Sequence, residues 1–236
     1  MSLRDFINDN CIFRCPPGYF LKGIPAGHAY SWQFYLRKAI FHKQAGPVIA
    51  EWFAHQYSKG VQFAAMESAG PALLAAVQTY KFFDIDSTND DLVPGFAIRK
   101  NQKEYGLLNW IEGCPEDLPV VILDDIANSK STIKRAKEIC EMNGLQVVGA
   151  LTIVNKKDND DADGLPVRSM FKISDFDLSW ESYYHNRVAP DINEFVETYK
   201  DVLLKAIEKT PEYTVVDAVS NPGLLTQFKQ ISTQGE

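Results

Sequence analysis

An apolar run that ends at two adjacent carboxylates constrains the fold of this chain more than any other feature. Val120–Leu123 is unbroken and rich in β-branched residues, which predicts a central strand buried on both faces. Residues 126–130 are predicted to form a short polar loop, and from Ser131 onward apolar residues recur at helical spacing. The stretch therefore predicts a strand, a loop and a helix, with Asp124 and Asp125 at the carboxyl end of the strand.

A second apolar run, at 147–154, follows the helix, and Gly144 supplies the stop signal between them. A strand–helix–strand unit implies parallel strands, and ligands of such sheets bind beyond the carboxyl ends of the strands. Asp124 and Asp125 suit hydroxyl groups and a hydrated Mg²⁺, while the loop amides and the helix N-terminus suit a phosphate. A ribose 5-phosphate fits this combination. The alternative is an ordinary strand–helix turn with a surface acid pair.

Two further strands are predicted upstream, at 61–66 and 96–98. The first runs into a turn of small residues at 67–70, which a helix from Pro71 to about Tyr80 follows. The second runs into an unusually basic segment, and a solvated charged loop is the ordinary interpretation of such a run. Its position after a strand instead places it near the sheet edge that holds Asp124. This segment contains Arg99, Lys100, Lys103, Tyr105 and Gly106.

Three of these segments resemble motifs of the type I phosphoribosyltransferases. Residues 120–132 are similar to the motif for 5-phosphoribosyl 1-pyrophosphate (PRPP), in which four apolar residues and two acids precede a Thr-x-Gly-Thr loop; here Lys130 replaces the glycine. The basic segment resembles the R-K-x-x-K-x-H-G catalytic loop of orotate phosphoribosyltransferases, with Tyr105 in place of the histidine. Gly70 matches a glycine of the pyrophosphate loop. Asn155-Lys156 lies where the orotate enzymes have Asn-Arg.

The resemblance implies an α/β, type I phosphoribosyltransferase-like fold: a mostly parallel central sheet flanked by helices, with a small hood and a helical C-terminal extension. It implies PRPP-dependent transfer of a phosphoribosyl group to a nitrogenous base, orotate or a related base, with release of pyrophosphate and with Mg²⁺ as cofactor. It also implies a homodimer in which a mobile loop at 99–110 reaches the neighbouring site. The alternative function, favoured by Lys130 and Tyr105, is a non-catalytic domain that binds PRPP or a nucleotide as a sensor or partner subunit.

Roles for single residues follow from the same resemblance. Asp124 and Asp125 would hold the ribose hydroxyls and, through Mg-PRPP, the metal; with Lys100 and Lys103 they are the predicted catalytic residues. Lys130 has two predicted roles, and a phosphate ligand through its ammonium is favoured over an obstruction of the loop. The predicted substrate-binding residues are Arg99, Tyr105, Glu67, Gly70, Asn128, Ser129, Lys130, Ser131, Thr132 and Lys156.

Two domains are predicted, a phosphoribosyltransferase-like domain at 1–180 that includes the hood and a helical extension at 181–236 packed on it. Residues 1–35 are expected to be irregular, because breakers interrupt their many aromatic residues. In the extension, Asp191 begins a predicted helix that continues to about Lys209. Residues 158–164 are expected to form a hairpin loop and not a calcium loop.

Net charge and cysteine content limit which binding partners and which cellular compartment we expect for this protein. The 236 residues carry a net charge of −7, which argues against binding to nucleic acid or anionic membranes. No span of about 18 apolar residues suggests a membrane helix. The four cysteines and four histidines are scattered without zinc-site spacing, and few cysteines in a long chain fit a reducing compartment. A cytoplasmic location is therefore expected.

Overall fold

The structure is a computed structural model that describes residues 1–22, 29–57, 60–67, 69–83, 93–101, 109–157 and 159–205. Its helices are α1 (Leu3–Asn10), α2 (Arg37–Ile40), α3 (Ala45–His55), α4 (Gly70–Phe83), α5 (Ser131–Met142), α6 (Trp180–Tyr184) and α7 (Ile192–Tyr199). Its strands are β1 (Ile12–Arg14), β2 (Tyr19–Lys22), β3 (Ala29–Tyr30), β4 (Trp32–Phe34), β5 (Gln62–Met66), β6 (Gly95–Ile98), β7 (Ile111–Glu112), β8 (Val120–Ala127), β9 (Val147–Asn155), β10 (Val167–Lys172) and β11 (Leu203–Lys205). These elements fall into two compact units.

The first unit, Met1–Ile7 with Leu36–Phe176, is built on a sheet with the strand order β10-β9-β8-β5-β6-β7. Neighbouring strands are parallel, except that β7 runs antiparallel to β6. Every residue of β5 is buried, as expected for a central strand with helices on both faces. The predicted α/β fold with a mostly parallel sheet is confirmed.

The four predicted core strands all form, but β8 is longer than predicted. The apolar run was expected to end the strand at Leu123, whereas β8 continues to Ala127. The reason is β9, which runs beside it and pairs Asp124 with Thr152 and Ala127 with Asn155. Asp124 and Asp125 therefore lie inside the strand and not in the loop that follows it.

Helix α5 begins at Ser131, as predicted, and packs an apolar face on the sheet. Ile133, Ala136, Ile139 and Cys140 are fully buried and share one core cluster with the strand residues Val120 and Ile122. The helix ends at Met142, and Gly144 follows in a left-handed conformation with φ +76°. That conformation favours glycine and confirms the predicted stop signal.

The second unit joins Asn8–Tyr35 to the described residues from Asp177 onward. β1 pairs antiparallel with β4, and β11, β2 and β3 form an antiparallel sheet in that order. Its core contains Cys15, Leu21 and Leu203, with aromatic rings such as Phe13 and Phe195 packed against it. The expectation that residues 1–35 are irregular was wrong, because this segment contributes α1 and four short strands.

The described part of the C-terminal segment also differs from the prediction. Asp191 caps α7 as expected, and its carboxylate accepts hydrogen bonds from the N–H groups of Asn193 and Glu194 at 2.7 and 3.1 Å. The helix then ends at Tyr199, and Leu203–Lys205 pairs with β2 where a helix to Lys209 was expected. Residues after 205, including the end of that predicted helix, lie outside the described residues. The second unit consequently crosses the predicted domain boundary at 180/181.

None of the described helices has the length and apolar character needed to span a bilayer.

Candidate active site

The two adjacent acids lie where β8 extends past one of its neighbours. β5 pairs with β8 only as far as Leu123, whereas β9 accompanies β8 to Ala127. Asp124 and Asp125 therefore lie toward the carboxyl end of the sheet, just beyond the last residue of β8 that pairs with β5. This is the edge at which parallel α/β sheets bind ligands.

Asp124 is almost fully buried, with 9% of its surface exposed, and Asp125 is half-buried. The backbone N–H of Asp125 donates to Asp124 Oδ1 at 2.9 Å. Burial raises the pKa of Asp124 well above its usual range, and the charge of Asp125 raises it further. The buried carboxyl is suited to a ligand that supplies hydroxyl hydrogen bonds in place of water.

Asp125 interacts electrostatically with two cationic side chains, Arg37 and Lys156. Burial raises the pKa of Asp125, while its hydrogen bond with Asp124 and the charge of Arg37 lower it. Burial lowers the pKa of Lys156, and the charge of Asp125 raises it. The backbone N–H of Lys156 donates to the carbonyl of Ala127 at 2.8 Å, which places the start of the segment after β9 beside the end of β8. Sequence reasoning identified Lys156 but missed Arg37, because no motif links α2 to the acid pair.

The predicted phosphate loop connects β8 to α5. Asn128, Ser129 and Ser131 are exposed, and the hydroxyl oxygens of the two serines lie 2.9 Å apart. Thr132 is half-buried in the first turn of α5. Exposed hydroxyls and an amide beside a helix N-terminus form an arrangement that suits an anion. The structure thus brings the predicted donors of this loop together.

Lys130 occupies the position of the motif glycine and adopts the conformation that glycine would favour. Its φ is +59° and its ψ +13°, in the left-handed region, and it immediately precedes α5. Its ammonium donates to the carbonyl and the Oδ1 of Asn159, both at 2.6 Å, and to the carbonyl of Asp161 at 2.8 Å. In this structure the ammonium is directed to the loop after β9, and its favoured role as a phosphate ligand stays a prediction.

The turn after β5 contains Glu67 and Gly70. Glu67 Oε2 accepts a hydrogen bond from the backbone N–H of Lys100 at 3.3 Å, which joins the ends of β5 and β6. A Cβ at Gly70 would lie 3.1 Å from both the carbonyl carbon and the Cβ of Ala65. Close packing of α4 on β5 is therefore a sufficient reason for a glycine here, whatever its distance from a ligand.

The basic segment is described only at its beginning. Arg99 Nη1 donates to Glu112 Oε1 at 2.8 Å, and its backbone N–H donates to the carbonyl of Trp110. Lys100 is exposed. Lys103, Tyr105 and Gly106 lie outside the described residues, so the predicted mobility of 99–110 is not tested here.

The side chains that could coordinate a metal ion limit how the protein could hold one. Among the described residues, no three histidine, cysteine, aspartate or glutamate side chains cluster as a metal site. Two adjacent carboxylates suit the water shell of a hydrated Mg²⁺ better than a direct protein-only site. The residues present therefore fit a Mg²⁺ that arrives with a phosphorylated ligand.

Comparisons with known proteins agree with this geometry. No protein-family model matches the sequence. Over 86 residues the chain is 31% identical to the orotate phosphoribosyltransferase of Aquifex aeolicus, covering 34% of this chain and 46% of that protein. Over 75 residues it is 35% identical to the transcriptional regulator GfcR of Methanosphaera stadtmanae, covering 32% of this chain and 38% of that protein. The chain spans about half the length, or less, of these curated relatives.

A solved structure extends the similarity beyond the matched sequence segments. The orotate phosphoribosyltransferase of Mycobacterium tuberculosis superposes with a TM-score of 0.57 at 18% identity, covering 73% of this chain and 95% of that one. This chain therefore has the fold of the type I phosphoribosyltransferases, with the acid pair at the carboxyl side of its sheet. Over about a third of its length its sequence is similar to that of an orotate phosphoribosyltransferase, which supports the resemblance predicted from the motifs.

Proposed function

We propose that this protein transfers a phosphoribosyl group from PRPP to a nitrogenous base, orotate or a related base, and releases pyrophosphate. The observation that carries the proposal is the position of Asp124 and Asp125 in the carboxyl-terminal half of β8, beyond its pairing with β5 and a few residues before a donor-rich loop at the start of α5. Carboxylates for ribose hydroxyls and amides for a phosphate are the two requirements of a ribose 5-phosphate group. Both occur within one short stretch of chain.

The chemical step places charge on two groups that the protein must accommodate. A nitrogen of the base forms a bond to C1 of the ribose and releases its proton, while the bond between C1 and the pyrophosphate oxygen breaks. Asp124 and Asp125 hold the hydroxyls of a ribose ring that gains positive charge. Residues 128–132 hold the 5′-phosphate through hydroxyls and backbone amides. Because Asp124 is buried, its carboxyl group has little contact with bulk water.

The basic segment and the turn after β5 are proposed to contact the leaving pyrophosphate. Arg99, Lys100 and Lys103 are proposed to bind the pyrophosphate, and Tyr105 to donate a hydrogen bond there. Arg99 Nη1 also pairs with Glu112 Oε1 at 2.8 Å, so part of its guanidinium is engaged within the chain. Gly70 is proposed to border the pyrophosphate. A homodimer in which this segment completes the neighbouring site remains a prediction, which light scattering can test.

Mg²⁺ is the proposed cofactor, and when bound to PRPP it would neutralise charge on the departing pyrophosphate. Asp124 and Asp125 would contact it through its water molecules or through the ribose hydroxyls that it shares. Removal of Mg²⁺ with a chelator should therefore abolish turnover while leaving the fold unchanged.

Lys156 is the proposed contact for the base. It is half-buried at the end of β9, and its charge interacts with that of Asp125. An ammonium at this position favours a base that carries a carboxylate or another anionic group. Because lysine lacks the bidentate fork of arginine, it binds such a group as a point charge and discriminates less by geometry.

A turnover screen tests this function. The protein is incubated with PRPP, Mg²⁺ and a panel of bases, orotate among them, and pyrophosphate release is measured. We expect release that requires both a base and Mg²⁺, and that is lost in Asp124→Asn and Asp125→Asn. Asp117→Asn is the matched control, since Asp117 is an exposed acid before β8 and away from its carboxyl end. Release that no base stimulates, or that survives both site substitutions, contradicts the proposal.

A second candidate is a domain that binds PRPP or a nucleotide without turnover, as a sensor or partner subunit. The similarity to a transcriptional regulator favours it. The engagement of Lys130 with Asn159 and Asp161 does not separate the two functions, since it leaves the loop donors available. Saturable PRPP binding by calorimetry without pyrophosphate release from any base identifies this second function. Absence of PRPP binding excludes the transferase, and absence of both PRPP and nucleotide binding excludes the second function as well.

A further inference from the structure

Lys130 is the unusual residue of the predicted phosphate loop, and its ammonium is fully used. An ammonium has three N–H donors, and the structure provides three acceptors within 2.8 Å: the carbonyl and Oδ1 of Asn159 and the carbonyl of Asp161. The residue as a whole is 6% exposed, so its side chain packs closely against the protein. We call this set of three contacts the Lys130 anchor. It leaves no N–H of the Lys130 ammonium for a substrate phosphate.

The acceptor side of the anchor is itself held in place. Asn155, fully buried at the end of β9, donates from Nδ2 to the carbonyl of Asn159 and to Asp160 Oδ1, both at 3.0 Å. Lys172 of β10 forms an ion pair with Asp160. A tight turn closed by Ala162 and Leu165 completes the segment. Lys130 is therefore fastened to a part of the chain that two strands of the sheet fix.

The anchor acts on the backbone of the loop. A left-handed conformation is unfavourable for lysine, and the Lys130 side chain does not cap the N–H groups of α5. Three short hydrogen bonds from the ammonium can offset that cost. The conformation sets the direction of the N–H groups that open α5, beside the hydroxyls of Ser129 and Ser131. The far end of the side chain thus determines how the loop presents its donors.

We propose that Lys130 is a positioning residue: its anchor to Asn159 and Asp161 holds the phosphate loop in the left-handed conformation that a glycine would adopt unaided. The proposal rests on the proposed function in naming the 5′-phosphate of PRPP as the group that the loop receives. It predicts that the identity of the side chain matters through backbone conformation and not through contact with the phosphate.

Three variants separate these effects. Lys130→Met removes the anchor and keeps the unfavourable backbone position, whereas Lys130→Gly removes the anchor and makes that position favourable. Lys134→Met is the matched control: Lys134 lies near the start of α5 and pairs with Asp163 of the same facing segment at 2.6 Å, but it lies outside the phosphate loop. Calorimetry with Mg-PRPP gives Kd for each variant, and steady-state rates give KM and kcat.

We expect Lys130→Met to raise the Kd and KM for PRPP by roughly 5- to 30-fold, the factor expected when the left-handed conformation loses its support. Its kcat should change much less, because the loop contacts a phosphate that does not react. Lys130→Gly should recover most of this loss, and Lys134→Met should behave as the wild type. Equal weakening in Lys130→Gly and Lys130→Met would overturn the proposal, because the charge itself would then be the requirement. Wild-type affinity in Lys130→Met would overturn it as well.

A measurement without ligand keeps this proposal separate from the proposed function. Amide hydrogen exchange at residues 129–133 should be faster in Lys130→Met than in the wild type, and faster than in Lys134→Met. If the wild type fails to bind PRPP, the proposed function is excluded, while this exchange comparison still decides whether the anchor holds the loop. Unchanged exchange in Lys130→Met overturns the positioning role.

Discussion

Gly70→Ala tests whether the glycine after β5 serves packing or ligand approach. The added methyl would lie 3.1 Å from the carbonyl carbon and Cβ of Ala65 and 3.2 Å from its Cα. These contacts are closer than ordinary van der Waals distances, and two of the three atoms belong to the backbone, so neither side can rotate away. Overpacking of this kind costs about 1–3 kcal/mol. Replacing glycine by alanine inside a helix raises the free energy of unfolding by ~1 kcal/mol. Gly70 is the first residue of α4, so the gain there is at most this large.

The net loss in the free energy of unfolding is therefore about 1 kcal/mol, which corresponds to ~2–4 °C in Tm for a chain of this size. Urea unfolding and calorimetry measure both quantities. A double-mutant cycle with Ala65→Gly supplies the control, because it removes one of the two closest contacts and should show a favourable coupling between the sites. A Gly70→Ala protein as stable as the wild type, with a raised KM for PRPP, would refute the packing argument and favour close approach of a ligand.

Two further predictions concern charge and capping. The pKa of Asp124 is raised in the folded state, so the folded protein binds this proton more tightly than the unfolded chain does. The resulting stabilisation is fully present below the ordinary aspartate pKa of about 3.9 and is lost as the pH rises through the raised value. Asp124→Asn should therefore be more stable than the wild type in urea at pH 8 but not at pH 3.5, and inactive at both; equal differences at the two pH values would contradict the pKa direction. Asp191→Ala should destabilise α7 by about 1 kcal/mol, since two backbone N–H groups lose their acceptor. Faster amide exchange at Asn193 and Glu194 checks this, and unchanged exchange would show that the cap is dispensable.

The first unit could be largely predicted because short, continuous stretches of its sequence indicate its strands and helices. Continuous apolar runs identified the core strands, and Gly144 identified the end of α5. The acid pair was found because it follows the most apolar of these runs. The length of β8 could not be predicted, because polar residues such as Asp125 enter a strand only when a neighbour such as β9 pairs with them.

The second unit could not be predicted for a related reason. Its strands have two to four residues, which is too short for an alternating pattern to appear. Val202 and Leu203 fit a helical stripe, yet pairing with β2 determines the conformation of Leu203–Lys205. The contacts of Lys130 and the proximity of Arg37 to Asp125 likewise depend on which distant segments the fold brings together. The left-handed backbone at Lys130 was foreseeable from the motif, whereas the destination of its ammonium was not.

The place of β2 between β3 and β11 has a consequence for the growing chain on the ribosome. β2 is made early, but its partner Leu203–Lys205 is made only after the whole central sheet of the first unit. At roughly 5–20 residues per second, the interval is on the order of ten seconds or more. Throughout that time one edge of β2 offers unpaired N–H and C=O groups to other nascent chains. β2 is thus synthesised well before the strand that protects its edge, and translation speed or chaperone access over this interval should affect the yield of folded protein.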